Sequence, residues 1–216
     1  FQNQQEIDAL NAQSPTGKYQ DGDTAPGDFK YIDLNGDGQI TDEDRTVIGN
    51  ALPKWYGGIT NTFNYKGIDF SFMLQFNYGN DIYNATRLYA TQTNTQRRNQ
   101  LAEVADRWSP TNASNKVPRY NGYVVNDVYS RFVEDGSFLR LKNITLGYTL
   151  PHKWTRSFHV SKLRVYATGQ NLFCLNNYSG YDPEVSTASK SPMTPGLDWG
   201  AYPKSRVFTF GIDLQF

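Results

Sequence analysis

The stretch Asp33-Leu-Asn-Gly-Asp-Gly-Gln-Ile-Thr-Asp-Glu-Asp44 carries side-chain oxygens at its first, third, fifth and twelfth positions: Asp33, Asn35, Asp37 and Asp44. Hard oxygen donors at alternate positions wrap a single cation, and this pattern is that of a Ca²⁺ loop. Gln39 supplies the backbone carbonyl, Ile40 the apolar position, and Gly38 the sharp turn. The closing residue is Asp44 rather than glutamate, one methylene shorter, so a bidentate grip is less assured. We expect a weak structural Ca²⁺ site suited to extracellular calcium. The plain alternative is a solvated Asp/Asn/Gly turn. No other residues announce chemistry. Cys174 is the one cysteine, and His152 and His159 have no third ligand nearby. No G-x-S-x-G, H-E-x-x-H, C-x-x-C or phosphate loop occurs, so no enzyme is expected.

The elements that must carry this loop are strands. Phe208, Phe210, Ile212, Leu214 and Phe216 share one parity, with Thr209, Gly211, Asp213 and Gln215 on the other. A period of two puts the two sets on opposite faces. The run has the length of a transmembrane barrel strand, about 9–11 residues. Ile68 to Tyr78 alternates as cleanly, and Trp55 to Tyr65 precedes it across Lys66-Gly67, a connection of hairpin type. Two more strands are read at 137–150, with a bulge expected near Asn143, and at 161–172. Thr95 to Trp108 reads as a helix, Glu6 to Ala12 as one or two helical turns, and 151–160 as a modest turn.

Connections thus alternate long and short, as in outer-membrane barrels with long extracellular loops and short periplasmic turns. The expected fold is an all-β, partial transmembrane antiparallel barrel. Residues 1–53 form an extracellular loop with the calcium loop, and 54–216 form five barrel strands with extracellular loops at 79–136 and 173–204. Five strands cannot close a barrel, which needs about eight, so the remainder must come from elsewhere. The start of the chain has neither a basic nor an apolar leader region, and an exported parent would be longer. No run approaches about 18 apolar residues, so no transmembrane helix is expected. The sequence is 15% aromatic, which suits interface girdles. Zero net charge offers nothing to nucleic acid.

Ordered words along the chain carry a family resemblance. They include Asp33-Leu-Asn-Gly-Asp-Gly38, Tyr65-Lys-Gly-Ile-Asp-Phe70, Tyr78-Gly-Asn-Asp-Ile-Tyr83 and Asp106-Arg-Trp-Ser-Pro110. Phe138-Leu-Arg-Leu-Lys-Asn-Ile-Thr-Leu-Gly-Tyr148, Leu163-Arg-Val-Tyr-Ala-Thr-Gly-Gln-Asn-Leu-Phe173 and Tyr178-Ser-Gly-Tyr-Asp-Pro-Glu184 follow. Together they resemble the carboxy-terminal barrel portion of SusC/RagA-type TonB-dependent outer-membrane transporters. The resemblance implies about 22 strands around an amino-terminal plug. It also implies TonB-driven import of oligosaccharides or peptides across a Gram-negative outer membrane, under a SusD-like lipoprotein lid. The plug and the TonB-contacting segment are not in this chain.

The loop aromatics Tyr83, Tyr89, Trp108, Tyr120, Tyr123, Tyr178, Tyr181, Trp199 and Tyr202 are candidates to stack on sugar rings or meet the lid, with Tyr178, Tyr181 and Trp199 singled out as possible ligand or lid contacts. Packing against the rim is the plainer reading for any single ring. Trp55, Tyr65, Tyr78, Tyr148 and Phe216 sit where interface girdles belong. Arg140, Lys142, Arg164, Asp69, Asp213, Gln75 and Gln215 line the lumen or press on the plug. The rival reading is a soluble, secreted all-β carbohydrate-binding module with a calcium loop.

Overall fold

The computed structural model describes residues 1–20, 22–93, 99–122, 128–185 and 195–216. The chain divides into two compact units: residues 1–48 with 84–132, and residues 49–83 with 133–216. The excursion after the second strand therefore largely groups with the amino-terminal residues.

The second unit is built on a five-stranded antiparallel sheet. Its strands are β1 (Trp55–Tyr65), β2 (Ile68–Tyr78), β5 (Phe138–Thr149), β6 (Lys162–Asn176) and β8 (Val207–Gln215), ordered β1-β2-β5-β6-β8. Three short strands, β3 (Asp81–Asn84), β4 (Val133–Asp135) and β7 (Leu197–Asp198), make a second sheet in the order β4-β3-β7. The β1–β2 connection is tight because Lys66 and Gly67 both take positive φ, 47° and 86°. Such a two-residue turn matches the right-handed twist of the strands it joins.

Register fixes the two faces. Ile59 lies opposite Leu74, Phe63 opposite Phe70 and Tyr65 opposite Ile68. Phe70 then meets Leu146, Leu146 meets Ala167, and Ala167 meets Phe210. The apolar set thereby runs across all five strands. The expected bulge is present, and it is wider than expected. One residue step on β2 (Met73 to Leu74) corresponds to two on β5 (Leu141 to Asn143) and three on β6 (Gln170 to Phe173). Asn171 turns into the left-handed region with φ 52° to accommodate it.

In the first unit, α1 (Gln4–Gln13) starts at Asn3, whose side chain accepts the Glu6 N–H, and ends before Pro15. Phe1, Ile7 and Tyr19 form a small core, with Leu10 and Ile40 packed on it. Helix α2 (Ala85–Thr91) is capped by Asn84 and presents Ala85, Leu88 and Thr91 inward. The helix expected over 95–108 is not seen: residues 94–98 lie outside the described set, and 102–106 make only a 3₁₀ turn. The stripe of Leu101, Val104 and Ala105 was too short to distinguish the two. Residues 151–160 hold the short helix α3 (His152–Thr155) and a 3₁₀ turn.

Candidate functional site

The sheet has one apolar and one polar face, and its function follows from that asymmetry. On β8, Phe208, Phe210, Ile212 and Leu214 are 66%, 80%, 66% and 55% exposed. Ile59, Phe63, Ile68, Leu146 and Val165 continue this exposed surface on the other strands. Phe63, Phe70 and Phe72 contact one another ring to ring at 5.9–6.5 Å. Water-soluble monomers rarely leave so continuous an apolar surface uncovered.

The opposite face carries an ionic bridge. The Arg164 guanidinium donates to both Asp69 oxygens, at 2.8 and 2.6 Å, and to Asp213 at 2.9 Å. One arginine on β6 thus joins β2 and β8. It reaches β2 because Gly147 intervenes: a Cβ there would sit 2.5 Å from Asp69 and 2.6 Å from Arg164. Gly211 leaves the matching space under the Tyr166 ring, where a Cβ would fall at 2.3 Å. Thr145 and Thr168 hydrogen-bond at 3.0 Å on the same face. Asp69, Arg164 and Asp213 were expected on the inner face, and they are spent on one another.

Higher on the sheet, Arg140 is buried and pairs with buried Asp182. Glu184 gathers Lys204 at 2.5 Å and Lys142 and Arg140 at 3.5 Å. Burial alone would raise the Glu184 carboxyl, yet these cations carry it below the usual range.

The aromatic candidates separate. Tyr178 is buried, and its hydroxyl donates to Asp198 at 2.5 Å, so its ring is a packing group with no face open to stack on a ligand. Burial and the neighbouring carboxylate push its phenol well above the usual range. Tyr181 and Trp199 are exposed, 79% and 54%. Trp108 packs on Gly27, where a Cβ would meet its ring at 2.5 Å. Tyr120 and Tyr202 are exposed, Tyr83 and Tyr89 half-buried, and Tyr123 lies outside the described residues. Trp55, Tyr65, Tyr78 and Phe216 are exposed at strand ends.

The acidic loop closes on itself. Asp33 accepts N–H bonds from Gly36 at 2.6 Å and Gly38 at 2.8 Å, and Asn35 accepts from Asp37 at 3.0 Å. Asp37 accepts from Gln39 at 2.9 Å, and Asp44 ties the ends together through Leu34 and Thr41, each at 2.8 Å. Ile40 anchors the loop on the α1 core, its N–H reaching the Tyr19 carbonyl at 2.6 Å. Gly36 and Gly38, at φ 78° and 83°, are where the loop takes the left-handed conformation. The donors are hard oxygens and suit Ca²⁺ chemically. Among the described residues, however, no three His, Cys, Asp or Glu side chains are gathered into a metal cluster. These N–H bonds equally serve a turn without a cation.

No family model matches the sequence. Individual relatives do. TonB-dependent receptor P26 of Formosa agariphila is 36% identical over 221 residues, covering 100% of this chain and 21% of that protein. TonB-dependent receptor P3 of the same organism is 36% identical, covering 90% of this chain and 20% of its own length. TonB-dependent receptor SusC of Bacteroides thetaiotaomicron is 32% identical over 88% of this chain and 18% of its own. Among solved structures, the RagAB peptide importer in its open-open state superposes with TM-score 0.71 and 25% identity, covering 86% of this chain and 20% of that one. The chain therefore spans about a fifth of the length of the curated relatives it matches. These are receptors and importers by name, not enzymes. Over the stretch that it spans, the chain is homologous to TonB-dependent receptors, SusC among them, and shares the fold of the matching part of the RagAB importer.

Proposed function

We propose that this chain supplies a section of the wall of a Gram-negative outer-membrane importer, a plugged barrel of about 22 strands driven through TonB. The observation that carries this reading is the two-faced sheet: phenylalanines, leucines and isoleucines on one side, an ion-paired polar surface on the other. Lipid covers the first face and the plugged lumen lies against the second. Among the described residues no strand pairs with the outer edges of β1 and β8, and in the barrel these edges continue into further strands, since an open edge is not viable in hydrocarbon. The exposed apolar face argues against the soluble carbohydrate-binding module.

The cargo is an oligosaccharide or a peptide, and a SusD-like lipoprotein covers the mouth. The RagAB structure is named a peptide importer, which supports the peptide reading; the oligosaccharide reading and the lid rest on the family resemblance. The test is expression of the full-length receptor with its lid partner. Fractionation should place it in the outer membrane as a heat-modifiable barrel. Deleting the gene or uncoupling TonB should abolish uptake of either fluorescent maltoheptaose or a labelled tryptic peptide pool. Recovery in the soluble fraction without detergent would overturn the reading.

We also propose that the 33–44 loop holds one structural Ca²⁺ through Asp33, Asn35, Asp37, the Gln39 carbonyl and Asp44. Bound there, the ion would neutralise carboxylates and stiffen the loop.

A further inference from the structure

Below Asn143 the even-numbered Ile144, Leu146 and Tyr148 lie on the apolar face; above it the odd-numbered Leu139 and Leu141 do. In an unbroken strand, Arg140 and Lys142 would share the apolar face with Ile144. The bulge turns Arg140 to the polar face, opposite Gln75 and Cys174. Lys142 reaches the same Glu184 carboxylate that Arg140 approaches.

What these cations meet is the loop between β6 and β8, at both of its stems. Asp182 accepts from the Arg140 guanidinium, from the Glu184 N–H at 2.9 Å and from the Lys204 N–H at 3.2 Å. One buried carboxylate therefore ties β5 to the leaving stem and to the returning stem together. Two further carboxylates reinforce the stems. Glu134 accepts the Ser179 N–H and hydroxyl, both at 2.8 Å, and Asp198 accepts the Tyr178 hydroxyl at 2.5 Å and the Ala201 N–H at 3.2 Å.

We propose that Arg140, Lys142, Asp182, Glu184 and Lys204 form an ionic clamp that folds both stems of this loop over the polar face of the sheet. The clamp positions Tyr181 and Trp199, the exposed aromatics next to Asp182 and Asp198, for cargo at the mouth. This rests on the importer reading above. The bulge exists to aim two cations inward, and the acidic stem residues are their counter-charges. Deleting one partner strands a buried charge, so the clamp fails as a unit.

The test uses the full-length receptor in outer membranes. Asp182→Asn keeps the shape and removes the charge. Hydrogen exchange in residues 177–185 and 195–205 should quicken about tenfold or more, with the β5 and β8 strands unchanged. Arg140→Gln should do the same, and Arg140→Lys should restore most of the protection. The double variant Arg140→Gln/Asp182→Asn should go little beyond either single one, as groups acting through one contact require. Uptake of a labelled tryptic peptide pool, or of fluorescent maltoheptaose if that is what the wild type imports, should show a raised half-saturation with the maximal rate nearly kept. Wild-type exchange in the stems, or additive effects in the double variant, would overturn the clamp; an unchanged half-saturation would overturn the positioning role. Should Asp182→Asn not assemble, Lys204→Gln in the loop stem decides the matter by the same exchange readout. A wild-type receptor lacking a heat-modifiable membrane form would instead refute the barrel reading.

Discussion

Asp44, half-buried, holds the acidic loop shut, so its worth lies in geometry. Backbone N–H groups of Thr41 and Leu34 keep its carboxyl below the usual carboxylate range. A lowered value means the closing bonds are intact above the ordinary carboxylate pKa, and are lost as pH falls through the depressed one. Protons and calcium compete for the same oxygens. Titration calorimetry on the full-length receptor should therefore show Ca²⁺ binding that holds from neutral pH down to about pH 4 and is lost below it. Asp33→Ala and Asp44→Ala should each reduce affinity about tenfold or more. No heat of binding in the wild type would remove the calcium proposal. The loop could be read from sequence because its oxygens lie within twelve consecutive residues. The clamp and the Arg164 bridge could not, because their partners stand 42 and 95 residues apart. Nor does any local signal mark Tyr178 as buried, since its partner Asp198 arrives from the far stem of the loop.

At the scale of elements, the long strands were legible because eleven alternating residues leave little choice of face. The bulge was legible because the charged parity of Arg140 and Lys142 contradicts that of Ile144, Leu146 and Tyr148. The strands β3, β4 and β7 escaped notice: two to four residues hold too little alternation to stand out. Two glycines make the element-scale arguments testable. Gly67 combines φ 86° with a site where a Cβ would lie 2.7 Å from the Thr149 carbonyl oxygen. Gly67→Ala should cost about 1–3 kcal/mol in urea unfolding of the micelle-bound receptor, while Lys66→Asn, at the other positive-φ position, should be near neutral. Gly211→Val should cost a similar amount, about 1–3 kcal/mol, by driving Tyr166 off its place on the polar face. A neutral Gly211→Val would mean that this face does not depend on the ring lying over the strand.

For the molecule as a whole, the decisive question is what covers the apolar face, and one pair of substitutions answers it. Ile212 is 66% exposed in this chain, and Thr209, exposed too, lies on the opposite face three residues away. In a water-soluble protein, arginine at an exposed position is nearly harmless, within about 0.5 kcal/mol. In a bilayer, an arginine facing hydrocarbon near the middle of a strand costs about 2–4 kcal/mol, because its charge must be hydrated or dragged to the interface. Ile212 lies next to the central residue of β8, where that cost is largest. Ile212→Arg should therefore lower the stability of the full-length receptor in lipid by about that amount and reduce the heat-modifiable fraction. Thr209→Arg carries the same charge and should cost clearly less, since its neighbours are polar. If both variants are equally stable, water rather than lipid lies against Phe210, Ile212 and Leu214. The two-faced sheet would then need another partner to hide it.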